Sequence, residues 1–353
     1  MEQALIVSLN FNPGHVSHLV ACYKQFEELG YNSVYYVNQK FASVLPENSK
    51  VYIHSKEQIE LSDVKEAVFL FPSQYNLTEI IKLKIKFRDL KVVYIFHEPM
   101  ESLRIYRKSG FTSKMLVKAA VTNLINTCVV WISNVILLPS EKAVRLYDKK
   151  KYYLNKNRYY VPLMFDDETK ENTQQCKRKY FSYIGTIASD HSFNEYFNFI
   201  EWAILNSELM SLNFLIATKS SLEQNQRLEK LLNSGRLCLL EGSPLTNLQI
   251  NDCYRSSHVV WNAYIRTTQS GVLVKSFIFG TPAIVLEKNI SEFAANRCEV
   301  IYIKDNTSFE QIKEAVEAIL LDFSNYSNNC RQRFLKTFHY KNYNRTIENI
   351  IRK

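Results

Sequence analysis

The stretch Val259-Val-Trp-Asn-Ala-Tyr-Ile-Arg-Thr-Thr-Gln-Ser-Gly-Val-Leu-Val-Lys-Ser-Phe-Ile-Phe-Gly-Thr-Pro-Ala-Ile-Val-Leu286 decides the fold. Val259 to Tyr264 is an apolar run of strand length, followed by a polar loop. Ser270 is a good N-cap, and Gly271 leaves room for a ligand to approach the backbone. A short apolar helix then runs to Gly280, and Ala283 to Leu286 is a second buried strand. This is a βαβ unit whose helix begins outside the strand ends. The free N–H groups of such a first turn favour an anion such as a diphosphate.

The same alternation extends in both directions, as parallel sheets with crossover helices require. Ala4–Leu9 reads as a strand, Asn10 to His15 as a turn, and the spacing of apolar residues from Val16 to Leu29 as a helix closed by Gly30. Val34–Val37, Ala67–Phe71, Val92–Phe96 and Val135–Leu138 are further strands. Residues 111–138 form the most apolar long stretch, but Lys114, Lys118 and three asparagines interrupt it. The expectation there is a buried helix followed by a strand. Residues 166–178 are polar and charged and read as a linker. The domains expected are 1–165, 179–335, and a C-terminal helix at 336–353. Ser308 and Gln311 have the spacing of a capping box.

Several segments carry a resemblance. The Ser270-Gly271 turn, its apolar helix and Gly280-Thr-Pro-Ala-Ile-Val are similar to the nucleotide-sugar site of GT-B-fold glycosyltransferases, above all the GT4-like group. Lys179–Thr186 resembles the strand and glycine loop opening the C-terminal domain of that family. Leu212–Ala217, Leu237–Ser243 and Asn251–Tyr264 resemble its next strands and short helix. The match covers about half of the chain. It implies an α/β fold of GT-B architecture: two Rossmann-like domains whose parallel sheets face each other across a cleft, the C-terminal helix packing back on the N-terminal domain. The donor-side residues implied are Gly185, Thr186, Lys219, Glu241, Gly242, Ser243, Tyr264, Arg266, Thr268, Gln269, Ser270, Gly271 and Lys275. Lys275, one turn into the helix, is expected to reach back to the diphosphate.

The sequence departs from that family where it matters. Two glutamates eight residues apart usually flank this turn, and Thr267 and Lys275 stand in their places. The basic pair that follows the first glycine loop is replaced by Thr186-Ile-Ala-Ser-Asp-His191. Glu287 and Glu292, after the Gly-Thr-Pro strand, read as loop carboxylates or further donor contacts.

Ligands of open parallel sheets bind outside the carboxyl ends of the strands. In the first half this rule selects Gly14 and His15, on the expected acceptor side, and His97-Glu98. An imidazole titrates near neutral pH and a carboxylate can orient it, so His97, Glu98 and His15 are the acid–base candidates. His97-Glu98 begins like a zinc-protease motif, but Pro99 breaks the helix required and Glu101 occupies the place of the last histidine. No Asp-x-Asp motif and no metal-ligand spacing occurs, so neither a metal nor another cofactor is expected. Walker, Gly-x-Ser-x-Gly and Gly-x-Gly-x-x-Gly motifs are also missing, which leaves P-loop, serine-hydrolase and simple dehydrogenase chemistry unsupported.

The charge of +9 is uneven. Residues 1–165 carry 22 Lys and Arg against 14 Asp and Glu, and residues 166–353 carry 22 against 21. Basic clusters at Lys82–Lys91 and Lys149–Arg158, the latter with interleaved tyrosines, read either as solvated helix faces or as a contact for an anionic membrane surface. No nucleic-acid-binding motif accompanies them. Seven scattered cysteines without a C-x-x-C pair fit reduced thiols in the cytoplasm, and the first ten residues lack a basic leader.

The function expected is transfer of a sugar from a nucleotide-sugar donor to a hydroxyl of a glycan or lipid-linked glycan, without a metal. The enzyme would be cytoplasmic, at the inner face of the cell membrane. A non-catalytic GT-B-like partner protein that binds nucleotide or glycan, and a nucleotide-sugar epimerase, are the alternatives.

Overall fold

A computed structural model describes residues 2–54, 63–171, 176–242, 245–290 and 292–352. The chain divides into two compact units: Met1–Asp166 with Phe338–Lys353, and Asp167–Thr337.

The first unit is a parallel sheet of β1 (Gln3–Ser8), β2 (Asn32–Val37), β3 (Val51–Ile53), β4 (Val64–Leu70), β5 (Lys91–Ile95), β6 (Val135–Leu138) and β7 (Arg158–Tyr160), in the order β3-β2-β1-β4-β5-β6-β7. Its helices are α1 (Val16–Glu28), α2 (Asn76–Lys86), α3 (Leu103–Lys108), α4 (Ser113–Ile132) and α5 (Glu141–Asp148). Central strands such as β1 and β4 are Val/Ile/Leu-rich and buried along nearly their whole length, because helices cover both faces. Gly30, with φ of 91°, ends α1 as the sequence predicts.

The second unit holds β8 (Tyr180–Ile184), β9 (Asn213–Ala217), β10 (Leu237–Leu240), β11 (Ser257–Asn262), β12 (Ala283–Leu286) and β13 (Val300–Ile303), ordered β10-β9-β8-β11-β12-β13 and all parallel. α6 (Phe193–Leu205), α7 (Gln226–Asn233), α8 (Asn247–Arg255), α9 (Gly271–Ile278), α10 (Phe309–Leu321) and α11 (Phe323–Arg333) accompany them. Trp261, Tyr196, Phe199 and Phe181 form the centre of its core.

The last helix, α12 (Asn344–Ile351), belongs to the first unit. It buries Ile347, Ile350 and Ile351, and Lys91 Nζ donates to the Ile351 carbonyl at 2.6 Å. The Tyr340 hydroxyl and the Asn344 amide donate to Glu28 of α1.

Four expectations need correction. First, helix α4 is not buried: Val117, Val121, Leu124 and Trp131 are at least half exposed, since only its C-terminal half reaches the core. Second, the Lys149–Arg158 cluster is no helix face, because α5 stops at Asp148 and Arg158 opens the edge strand β7. Third, the segment read as a linker is partly built into the second unit, where Glu168 is buried and holds Asn247 and Asn251. Fourth, Ser308 accepts from the Gln311 amide, but the Gln311 side chain accepts from Lys304 and Asp305 instead of closing a capping box. A complete capping box sits at Thr246–Gln249, ahead of α8.

Candidate nucleotide-sugar and acceptor sites

In the second sheet the strand order reverses between β8 and β11, so the crevice for a ligand lies at their carboxyl ends. The loops after these two strands contain most of the donor-side residues selected from the sequence. Gly185 follows β8 with φ of 142°, a conformation that favours glycine. A Cβ placed there would lie 3.7 Å from Val272 in the first turn of α9 and 3.8 Å from the Tyr264 hydroxyl. The glycine loop and the helix start are therefore neighbours. Ser270 caps α9, its Oγ accepting from the Leu273 amide at 3.3 Å. Asn262, the last residue of β11, donates to that same Oγ at 2.8 Å and fixes the turn to the sheet.

A second layer ties the loop after β8 to the loop after β11. The Ile265 amide donates to the Asp190 carbonyl at 2.8 Å, and Arg266 Nη2 lies 3.3 Å from Asp190 Oδ2. The His191 ring stacks on Tyr264 with centroids 4.3 Å apart and planes 9° from parallel. His191 Nδ1 is 2.8 Å from the Thr186 carbonyl, which makes Nδ1 the protonated nitrogen in that contact. Burial holds the Tyr264 phenol far above its usual pKa, so it acts as a neutral ring. Thr268 and Gln269 are buried in the same loop. Asp190 and His191 stand where the family's basic pair is missing. Sequence reasoning read them only as a departure.

Two donor-side residues, Lys275 and Glu241, have other engagements. Lys275 is buried, its Nζ 3.3 Å from Glu168 Oε2 and hydrogen-bonded to Asn247. Its ammonium is thus turned to a buried carboxylate instead of back along the helix to the turn. Glu241 accepts from the Leu222 amide and from Gln224 Nε2 at 2.9 Å, which anchors the 222–224 loop. Lys219 is exposed after β9. Gly242 adopts φ of 81° beside Ser221, and Ser243 lies outside the described residues.

In the first sheet the order reverses between β1 and β4. Asn12 caps the turn at Gly14 by accepting its amide at 3.2 Å, and His15 leads into α1. The His15 ring stacks on Phe71, which follows β4, at 3.6 Å and 12°. Phe71 has φ of 67°, a left-handed conformation costly for an aromatic residue, and Asn76 Nδ2 holds its carbonyl at 2.9 Å. The His97 ring centroid lies 5.8 Å from that of Phe71, tilted by 48°. His15 and His97, selected separately from the sequence, are therefore brought together by an aromatic residue that was not selected. Glu98 Oε1 is 4.0 Å from His97 Nδ1, an ion-pair separation and too long for a hydrogen bond.

No protein-family model matches the chain, and no curated protein does. Solved structures do. Sucrose-phosphate synthase from Thermosynechococcus elongatus aligns with a TM-score of 0.69 at 8% identity, over 100% of this chain and 98% of that one. HepE from Anabaena, solved with UDP and glucose, aligns at 0.68 and 10% identity over the whole of both chains. WaaG, a glycosyltransferase involved in lipopolysaccharide biosynthesis, aligns at 0.64 and 12% over 99% of each. With two parallel α/β units, each carrying its own switch point, and end-to-end likeness to these proteins, the chain has the GT-B fold.

Proposed function

We propose that this protein is a glycosyltransferase that moves a sugar from a nucleotide-sugar donor to a hydroxyl of a glycan or lipid-linked glycan. The observation that carries the reading is the Ser270-capped start of α9, set against Gly185 at the switch point of the second sheet. UDP or UDP-glucose is bound in the solved structures of HepE, and UDP in that of an alpha-glucosyltransferase of the same fold. The bond from the anomeric carbon to the diphosphate breaks, and the negative charge gathers on the leaving phosphate. The amides of Gly271 and Val272 and the Arg266 guanidinium stabilise that charge in place of a metal. Tyr264, stacked on His191, lines the same loop. The acceptor hydroxyl gives up its proton as its oxygen bonds to the anomeric carbon, and His97 is the base proposed to take it, with His15 as a phosphate or hydroxyl contact. The protein would work in the cytoplasm, its basic first unit against the inner face of the cell membrane.

The test is a thermal-shift panel with UDP, GDP, dTDP and CMP, followed by calorimetry on the best ligand. One nucleoside diphosphate should raise the Tm, and Ser270→Pro should abolish the effect in protein that still folds. No shift with any nucleotide would overturn the donor site. Tight binding without transfer or hydrolysis would instead favour a non-catalytic partner, and an isomerised sugar without acceptor an epimerase.

A further inference from the structure

Thr169, Arg255, the end of α9 and one face of α11 line an open cavity of about 540 Å³ in the second unit. Ser324, Ser327, Asn328 and Arg331 stand at spacings of three, one and three, which gathers them on that face of α11. Phe323 and, at the end of α9, Ile278, Phe279 and Gly280 complete the lining. The two backbones come close here: a Cβ on Gly280 would lie 2.6 Å from Ser327 Oγ and 3.0 Å from the Ser327 carbonyl oxygen. Arg255 precedes β11 and Gly280 precedes β12, so the cavity lies at the amino ends of these strands. The donor crevice lies at the carboxyl ends, by the opposite end of α9.

Three guanidinium groups gather around it. Arg255 lies over the Phe279 ring, 4.9 Å from its centroid, and donates to Asp252 at 3.0 Å and to the Glu168 carbonyl at 3.2 Å. Arg331 donates to the Ile278 carbonyl at 2.9 Å and to Asp167. These bonds occupy two of the five N–H groups of each fork. The third, Arg178, lies against the Phe323 ring, 5.1 Å from its centroid. It donates to the carbonyls of Tyr254, Ser257 and Phe279 and to the Thr281 hydroxyl, and among the described residues no carboxylate pairs with it. Burial pulls its guanidinium down to about 10. The arginines thus outnumber their carboxylate partners by one. A phosphate suits such a set, because planar forks offer it parallel N–H bonds. The hydroxyls of Thr169, Ser324 and Ser327 and the Asn328 amide suit a polyol, and the Phe279 and Phe323 rings suit the C–H face of a sugar. An inorganic ion would leave the hydroxyls and the rings without a part.

We propose that this cavity is a second binding site, separate from the donor crevice, for a sugar that carries a phosphate group. The site goes beyond the transfer reaction and does not depend on the donor reading. Glucose 1-phosphate or glucose 6-phosphate at millimolar concentration should raise the Tm of the full chain, and calorimetry should measure the binding. Inorganic phosphate and glucose should each bind at least about tenfold more weakly. Ser324 and Asn328 are exposed, so Ser324→Asp with Asn328→Asp brings two negative charges to the rim without disturbing packing. That double variant should weaken the sugar phosphate about tenfold or more, with its own Tm and its nucleotide-induced shift unchanged. Asn328→Lys should strengthen the binding. Three results would each overturn the site: no binding of either sugar phosphate; inorganic phosphate binding as tightly as they do, an adventitious ion only; or binding weakened by Arg266→Lys and untouched by the double variant. The last would put the sugar phosphate in the donor crevice.

Discussion

Arg266 Nη2 lies 3.3 Å from Asp190 Oδ2, and both side chains are about nine-tenths buried. The pair joins the loop after β8 to the loop after β11, across the switch point of the second sheet. The guanidinium of the loop after β11 is thereby drawn against the loop after β8. Asp190 holds it there. A buried ion pair of this kind adds little net stability, but it fixes the guanidinium against the loop after β8.

Replacing Arg266 with Lys keeps the charge and loses the planar fork. Nucleoside diphosphate affinity should fall about tenfold or more, the worth of a charge-assisted hydrogen bond. Calorimetry checks it, and an unchanged affinity would remove Arg266 from the donor site.

Lys275 should matter for stability and not for donor binding. Lys275→Ala leaves Glu168 as a buried carboxylate without its cation, a loss of about 3 kcal/mol. The Tm should drop, and the double variant with Glu168→Gln should recover part of it. The nucleotide affinity of the folded protein should stay the same. A normal Tm with weakened donor binding would restore Lys275 to the diphosphate.

Gly185→Ala forces an L side chain to φ of 142° while the Cβ itself meets only ordinary contacts at 3.7 and 3.8 Å. The cost should therefore come from the backbone, about 1–2 kcal/mol. The loop should relax away from α9, and nucleotide affinity should fall alongside the Tm.

Glu66 of β4 gives a pH dependence in the first unit. It is buried, and its Oε2 has no hydrogen-bond partner among the described residues. Burial pushes its carboxyl up to about 8, against the opposing pull of Lys91 across the strand pair; Glu2 raises it further. The folded state thus keeps a proton that the unfolded chain releases near its ordinary value of 4.5. Stability from this group falls as pH rises from there to about 8. Glu66→Gln should leave stability near pH 4.5 unchanged and raise it at pH 8–9 by at least about 1 kcal/mol. Urea titrations at the two pH values measure this, and equal effects at both would refute it.

Much of the fold was legible locally. The apolar runs of β1, β6, β9 and β12 bury both faces, so their composition announces them. The strands that went unread are short pieces nearer the sheet edges: β3 (Val51–Ile53), β7 (Arg158–Tyr160) and β13 (Val300–Ile303). Val51-Tyr-Ile53 and Val300-Ile-Tyr-Ile303 are apolar but only three and four residues long, too short to show a period, and Arg158-Tyr-Tyr160 resembles a charged surface more than a strand. Of the candidate sites, the turn at Ser270-Gly271 and the glycine loop at Gly185 could be read because N-cap and glycine preferences are local. Phe71, Asn262 and Asp190 could not. Each acts through a neighbour distant in sequence: Phe71 through His15, Asn262 through a serine eight residues on, Asp190 through Arg266.

The sequence by itself determined the alternation of strands and helices and the position of the capped turn, because propensity, periodicity and capping act within a few residues. Tertiary structure alone decided where the long side chains go. Lys275 has the reach to turn either way along its helix, and the buried Glu168 settles its direction. Apolarity put α4 in the core on paper, yet a sheet face has finite width, and only the C-terminal half of that helix covers it. Which apolar surface is buried depends on the area available to bury it, and no window of sequence contains that area.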